Sequence, residues 1–131
     1  MLDFRIIACS IARPAAAVYA FLSQPRNFAL WAAGLGKGLR QEGAHWVAET
    51  PEGLARISFA PPNDFGVADH WVTLPSGAEI SVPMRVIGNG EGSLVLFTVF
   101  RQAWMDEAAL VADAAAVERD LDALKALLEA G

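Results

Sequence analysis

The side chain best able to move a proton near neutral pH is His70, in the strand-like run FGVADHWVTL from Phe65 to Leu74. An imidazole titrates near pH 6.5, so inside a cavity His70 would serve as an acid/base. Strand alternation turns Asp69 and Trp71 to one face and His70 with Val72 to the other. Asp69 is therefore misplaced to orient its neighbour as a charge-paired dyad requires. The competing reading of His70 is a hydrogen-bonded structural histidine. Were Asp69 the inward residue, its carboxylate would need a partner such as Arg56 or Arg85 to offset desolvation. Either arginine, placed in a cavity, would grip a ligand carboxylate or phenolate bidentately. Arg85 alternates against Ile80, Val82, Met84 and Val86, which puts it on the outer face. Arg56 shares its face with Leu54 and Ser58, opposite Ile57 and Phe59, so a solvated role is expected there too.

Other chemistries find less support. Cys9 is the single cysteine, which excludes an internal disulfide. It lies in an apolar run beside Ile7 and Ile11, with no local base or cation to activate it, and reads as a small hydrophobe. His45 and His70 are far apart and no HxxxH or CxxC spacing occurs, so neither a metal nor another cofactor is expected. The GLGKG run of Gly34, Gly36 and Gly38 follows a helix and lacks the GK[ST] ending of a phosphate loop. No serine or cysteine nucleophile signature is present.

The bulk properties narrow the class. A chain of 131 residues suits one domain, 1–131, around one core. Apolar residues make up 54% and charged residues 19%, against roughly 45–50% and about 25% in ordinary soluble domains. The apolar excess can enter a core, a lined cavity or a subunit interface. With a net charge of −5 and no Lys/Arg cluster, nucleic acid and anionic membranes are poor partners. No signal-like segment or membrane-length apolar run is seen, and the cytoplasm is the expected compartment.

The elements that must position these groups follow from pattern and punctuation. Residues 3–11 read as a strand. Pro14 and Pro25 each open a helical stretch, AAAVYAFL and RNFALWA. From Leu39 to Arg101, turn signals separate short strands, including EISVPMRVI and SLVLFTVFR. Pro83 inside the first of these removes a ladder donor and predicts an edge or a bulge. From Asp106, a good N-cap, to Glu129 the spacing predicts one long helix with an apolar stripe of Leu110, Ala114, Val117, Leu121, Leu124 and Leu128. The expected fold is α+β: a curved antiparallel sheet of six or seven strands wrapped around the C-terminal helix, with two short helices after the first strand.

Three stretches in this order, IARPAAAVYAFLSQPRNFALWA (Ile11 to Ala32), FGVADHWVTL and DAAAVERDLDALKALLE (Asp113 to Glu129), resemble the START-like superfamily, also called helix-grip or Bet v 1-like. The resemblance is nearest to its bacterial polyketide cyclase/dehydrase-type (SRPBCC) proteins and covers nearly the whole chain. It implies a helix-grip fold that binds lipids, hormones, polyketides or aromatic compounds. The superfamily includes both enzymes and carriers, with no shared catalytic motif to transfer.

The leading expectation is therefore binding of a small hydrophobic or aromatic, lipid- or polyketide-like ligand between sheet and long helix. Strand faces and element ends select Trp31, Phe59, His70, Met84, Phe97 and Trp104 as its wall or mouth. The alternatives are a cyclase/dehydratase-type enzyme using His70 or a cavity carboxylate, and a homodimeric interaction module without a ligand. The last is motivated by SLVLFTVFR. Val95, Phe97 and Val99 are apolar on one side of it, and Leu94, Leu96 and Phe100 on the other.

Overall fold

The computed structural model describes residues 1–33 and 39–130; the glycine-rich GLGKG run lies outside them. β1 (Phe4–Ile11) is followed by α1 (Ala15–Leu22), then by a 3-10 turn (Pro25–Asn27) running into α2 (Phe28–Trp31). Seven strands come next: β2 (Leu39–Glu42), β3 (His45–Thr50), β4 (Gly53–Phe59), β5 (His70–Thr73), β6 (Glu79–Val82), β7 (Met84–Asn89) and β8 (Gly92–Phe100). The long helix α3 (Glu107–Ala130) closes the fold. Asp106 caps it as expected, its carboxylate accepting the Ala109 N–H at 2.8 Å.

The strands form two antiparallel sheets, in the order β1-β8-β7 and β2-β3-β4-β5-β6. Among the described residues eight strands replace the expected six or seven, because Pro83 divides one predicted strand into β6 and β7. With no N–H to donate, proline interrupts the ladder. β6 then pairs with β5 and β7 with β8. The Pro83 carbonyl still accepts the Thr98 N–H at 3.0 Å, so one curved surface continues across the break.

The predicted strand FGVADHWVTL is also shorter in the structure, because its first half is a loop held by Asn63. The Asn63 side chain accepts from the Phe65 and Val67 N–H groups and donates to the Pro61 and Val67 carbonyls. Such side-chain bonds offer the backbone an alternative to a ladder. The Tyr19 hydroxyl of α1 accepts the Asn63 N–H at 3.1 Å, which anchors the loop.

α3 lies against the inner faces of β1 and β8. Leu110, Leu121, Leu124 and Leu128 are buried, and Ala114 and Val117 partly so. Ile11, Val18, Leu22, Phe28, Met84 and Val95 complete the core that the last three of these leucines join. Polar bonds fix the helix end: Arg13 donates to the Leu128 carbonyl at 2.9 Å, and Glu129 accepts the Ala12 N–H at 2.8 Å. The opposite face of β1, β8 and β7 stays uncovered in the single chain. Phe4, Ile6 and Ile87 on it are exposed, and Leu94 and Leu96 half-buried.

Candidate functional site

Between α3 and the inner side of β6 and β8 lies a cavity of about 630 Å³, within the range of small-molecule sites. Val82 of β6, Phe97 of β8 and Val117 of α3 give it apolar walls, and Trp104 and Met105 of the β8–α3 connection stand at one end. Trp104 is 59% exposed. The space exists because α3 turns small side chains, Ala109 and Ala116, toward it. Where the same helix meets β1 it buries leucines instead.

The polar residues of its lining are Glu52, Ser76, Ser81, Thr98, Gln102, Asp113 and Asp120, and the sequence reading did not select them. Asp113 and Asp120 line it from α3, and Gln102 from the end of β8. Burial raises the carboxyl of Asp113 above its usual range. Burial raises Asp120 too, against the opposing effects of the Ala33 N–H and Arg119. Gln102 is buried, and its Nε2 donates to the Phe100 carbonyl at 3.3 Å. That bond orients the carboxamide and leaves its oxygen with no protein partner among the described residues. The overlooked signal was the row Ala109, Asp113, Ala116, Asp120, at helical spacing beside the leucine stripe. Its residue types match those of an ordinary solvated face, so spacing alone could not mark it.

His70 has the inward orientation that alternation predicts, but it sits in a packed aromatic cluster. Its ring centroid is 5.6 Å from Phe28, 5.7 Å from Phe59 and 6.2 Å from Phe97. Nδ1 lies 3.2 Å from the Ala68 carbonyl. A carbonyl can only accept, so Nδ1 carries the proton in the neutral ring and Nε2 is left as the acceptor. Asp69 faces the other way. Arg85 Nε donates to its Oδ1 at 3.0 Å and Arg85 Nη2 to its Oδ2 at 2.8 Å, while the Met84 N–H also donates to Oδ1. The Arg85 bonds hold the Asp69 carboxyl below its usual range. No carboxylate therefore orients the imidazole.

Burial pushes His70 below the ordinary histidine value of 6.5. As pH falls, the unfolded chain takes up this proton before the folded chain does. Stability is whole above about pH 6.5 and declines below it, toward the depressed folded value. The raised carboxyls of Asp113 and Asp120 act with the opposite sign, adding stability as they protonate nearer the carboxylate range. Urea unfolding between about pH 7.5 and 5.5 should show the His70 loss. His70→Phe, which keeps a ring in the cluster, should flatten it. An equal slope in both proteins would show that His70 is not held neutral by the fold.

Of the six residues selected from sequence, Phe97 and Trp104 border the cavity directly. Phe59, His70 and Met84 pack in or against the core behind it. Trp31 is buried in the core and edges a separate cleft with Arg119 and Asp120. Its Nε1 has no partner among the described residues. Arg56 is exposed, as expected. Cys9 is partly buried, with its thiol pushed up by burial and its Sγ 3.8 Å from the Leu121 carbonyl. Among the described residues no three His, Cys, Asp or Glu side chains group as a metal site would need. No described helix is long and apolar enough to cross a membrane.

A long helix gripped by a curved antiparallel sheet is the helix-grip architecture, and solved structures share this fold. DynU16, a protein from the dynemicin biosynthetic locus, superposes with a TM-score of 0.73 at 17% identity over 97% of this chain. The chain spans only 47% of DynU16. XoxI from Bacillus cereus matches with a TM-score of 0.76 at 14% identity, covering 96% of this chain and 95% of its own. A START superfamily protein from Mycobacterium smegmatis matches with a TM-score of 0.70 at 10% identity, covering 96% and 97%. Identities this low establish the fold alone. No protein-family model and no curated protein matches the sequence.

Proposed function

We propose that the chain binds a small hydrophobic or aromatic molecule, lipid- or polyketide-like, in the cavity between α3 and the sheet. The observation that carries this reading is the cavity of about 630 Å³, walled by Val82, Phe97 and Val117 with Trp104 at its mouth. A mainly apolar space with a minority of polar groups is the usual form of a small-molecule site. Phe59, His70 and Met84 support its inner wall, and Trp31 belongs to the packing beneath α2. The resemblance to START-like proteins and the origin of DynU16 in a biosynthetic locus favour the same class of ligand.

The test is a thermal-shift screen of hydrophobic and aromatic compounds, with Trp104 fluorescence as a second readout. A ligand at 100 times its Kd stabilises by about 2.7 kcal/mol, which moves Tm by several degrees. Ala116→Trp, which fills the cavity from the helix side, should melt near the wild type without ligand and lose the shift. Shifts that persist in the filled variant would place binding elsewhere, and a screen with no shift would reject the reading.

Association of two copies is a second proposal, favoured by the exposed Phe4, Ile6 and Ile87 on the outer sheet face. Arg85, the charged residue on that face, is already neutralised by Asp69, so a copy docking there meets no unpaired charge. Sedimentation at micromolar protein should show a dimer that Ile6→Lys dissociates. A single wild-type species near 14.0 kDa would reject it.

A further inference from the structure

Among the described residues two buried side-chain atoms lack a hydrogen-bond partner, Trp31 Nε1 and Ser93 Oγ. Ser93 is enclosed at the start of β8. Trp31 borders a cleft of about 540 Å³ between α2 and α3, with Leu30, Ala33, Ala116 and Ala123 as its apolar sides. The ring is held in place: Trp31 is 3% exposed, and Phe28 packs on it with ring centroids 5.0 Å apart. An indole N–H only donates. Left buried and unpaired it is costly, and it calls for an acceptor from outside the chain. A second donor borders the same cleft. Arg119 lines it, is exposed, and forms no hydrogen bond or ion pair among the described residues. Asp120 is the other charged residue of the lining. Its Oδ1 accepts the Ala33 N–H at 3.2 Å. Burial holds its carboxyl above the usual range, so it yields its charge more readily than an exposed aspartate when an anion approaches.

We infer that this cleft is a second binding site, for a small aromatic or apolar carboxylate, one oxygen accepting the Trp31 Nε1–H and the other pairing with the Arg119 guanidinium. It is distinct from the cavity between α3 and the sheet, although Ala116 and Asp120 border both, and it stands or falls independently of that site. The donor set chooses the ligand class. Two free donors, one of them a full cation, call for acceptor oxygens that carry negative charge. An ammonium ligand would instead bring a donor to a donor and a cation to a cation. The alanines choose the shape, because their small side chains leave room for a flat body against α3. Trp31 and Arg119 come from elements far apart in sequence, so neither reads as part of a site until α2 packs on α3.

Proton–nitrogen correlation NMR reads the site directly, since each of the four tryptophans gives its own indole N–H signal. Trp31→Phe and Trp104→Phe assign the signals of the cleft and of the cavity mouth. Three matched probes, 1-naphthylacetate, 1-naphthylacetamide and 2-(1-naphthyl)ethylamine, are titrated near pH 7 at low salt. The acetate is expected to move the Trp31 signal saturably and to bind there about tenfold more tightly than the neutral amide, while the amine gives no saturable shift. Arg119→Gln, a change on an exposed side chain, should bring the acetate within about threefold of the amide. Ala123→Phe narrows the cleft and not the cavity, so it should remove the Trp31 response and leave any Trp104 response unchanged. A Trp31 signal that ignores the acetate, or that the amine moves as strongly, would overturn the inference. So would acetate binding that is unaltered by Arg119→Gln, or a Trp31 response that survives Ala123→Phe. The cavity reading is judged separately, by the Trp104 signal.

Discussion

Leu121→Ala is expected to lower the unfolding free energy by about 2–5 kcal/mol, the range for deleting a fully buried leucine and leaving a cavity. Leu121 is 1% exposed and belongs to the core that includes Ile11, Leu22, Val95 and Leu124. The loss has two parts. The removed methyl groups forfeit their transfer energy, and the surrounding side chains collapse only partly into the space. Leu127, six residues along α3 and 42% exposed, is the control, and Leu127→Ala should stay within about 0.5 kcal/mol of wild type. Chemical denaturation of both variants checks this. Equal effects would mean that α3 does not bury the Leu121 face against the sheet.

Gly66→Ala should cost a comparable amount by another route. Gly66 has φ of +71°, and a Cβ built there would overlap the Val86 carbonyl oxygen, well inside van der Waals contact. The left-handed conformation alone costs a residue with a side chain roughly 1–2 kcal/mol. The overlap adds to this because the obstacle is backbone. Val86 donates its N–H to the Gly66 carbonyl at 2.9 Å, so moving the strand away breaks one of the bonds that join the loop over 61–69 to β7. A total of about 3–5 kcal/mol is expected. Gly90, at φ of +59° with no neighbouring atom to meet a Cβ, isolates the conformational part, and Gly90→Ala should cost only about 1–2 kcal/mol. Equal losses in the two variants would remove the clash from the explanation.

The leucine stripe of α3, its Asp106 cap, the helix over Ala15–Leu22 and the interruption at Pro83 were all legible in the sequence. Each depends on local rules: helical periodicity, capping chemistry and the missing proline N–H. The two-residue period of a strand set His70 and Asp69 on opposite faces and Arg85 outward, and left open which of the first two turned inward. What that period could not show is how Pro83 would be used. Its effect depends on β5 and β8 lying on either side of the break, which are contacts between distant parts of the chain.

The sequence by itself determined the helix-grip architecture, because the burial of one long amphipathic helix against one strongly patterned sheet admits few arrangements. It also placed a cavity between those layers. The tertiary structure alone decided what that cavity contains. Phe28, Phe59 and Phe97 come from three separate elements and enclose His70, turning the most reactive side chain of the strand into a neutral core residue. Asp113 and Asp120, which read as an ordinary solvated helix face, line the cavity because the alanines beside them leave the sheet too far away to fill it. Periodicity records which face of an element is apolar. The distance between two packed layers depends on every side chain along their contact, and here that distance decides which polar groups a ligand would meet.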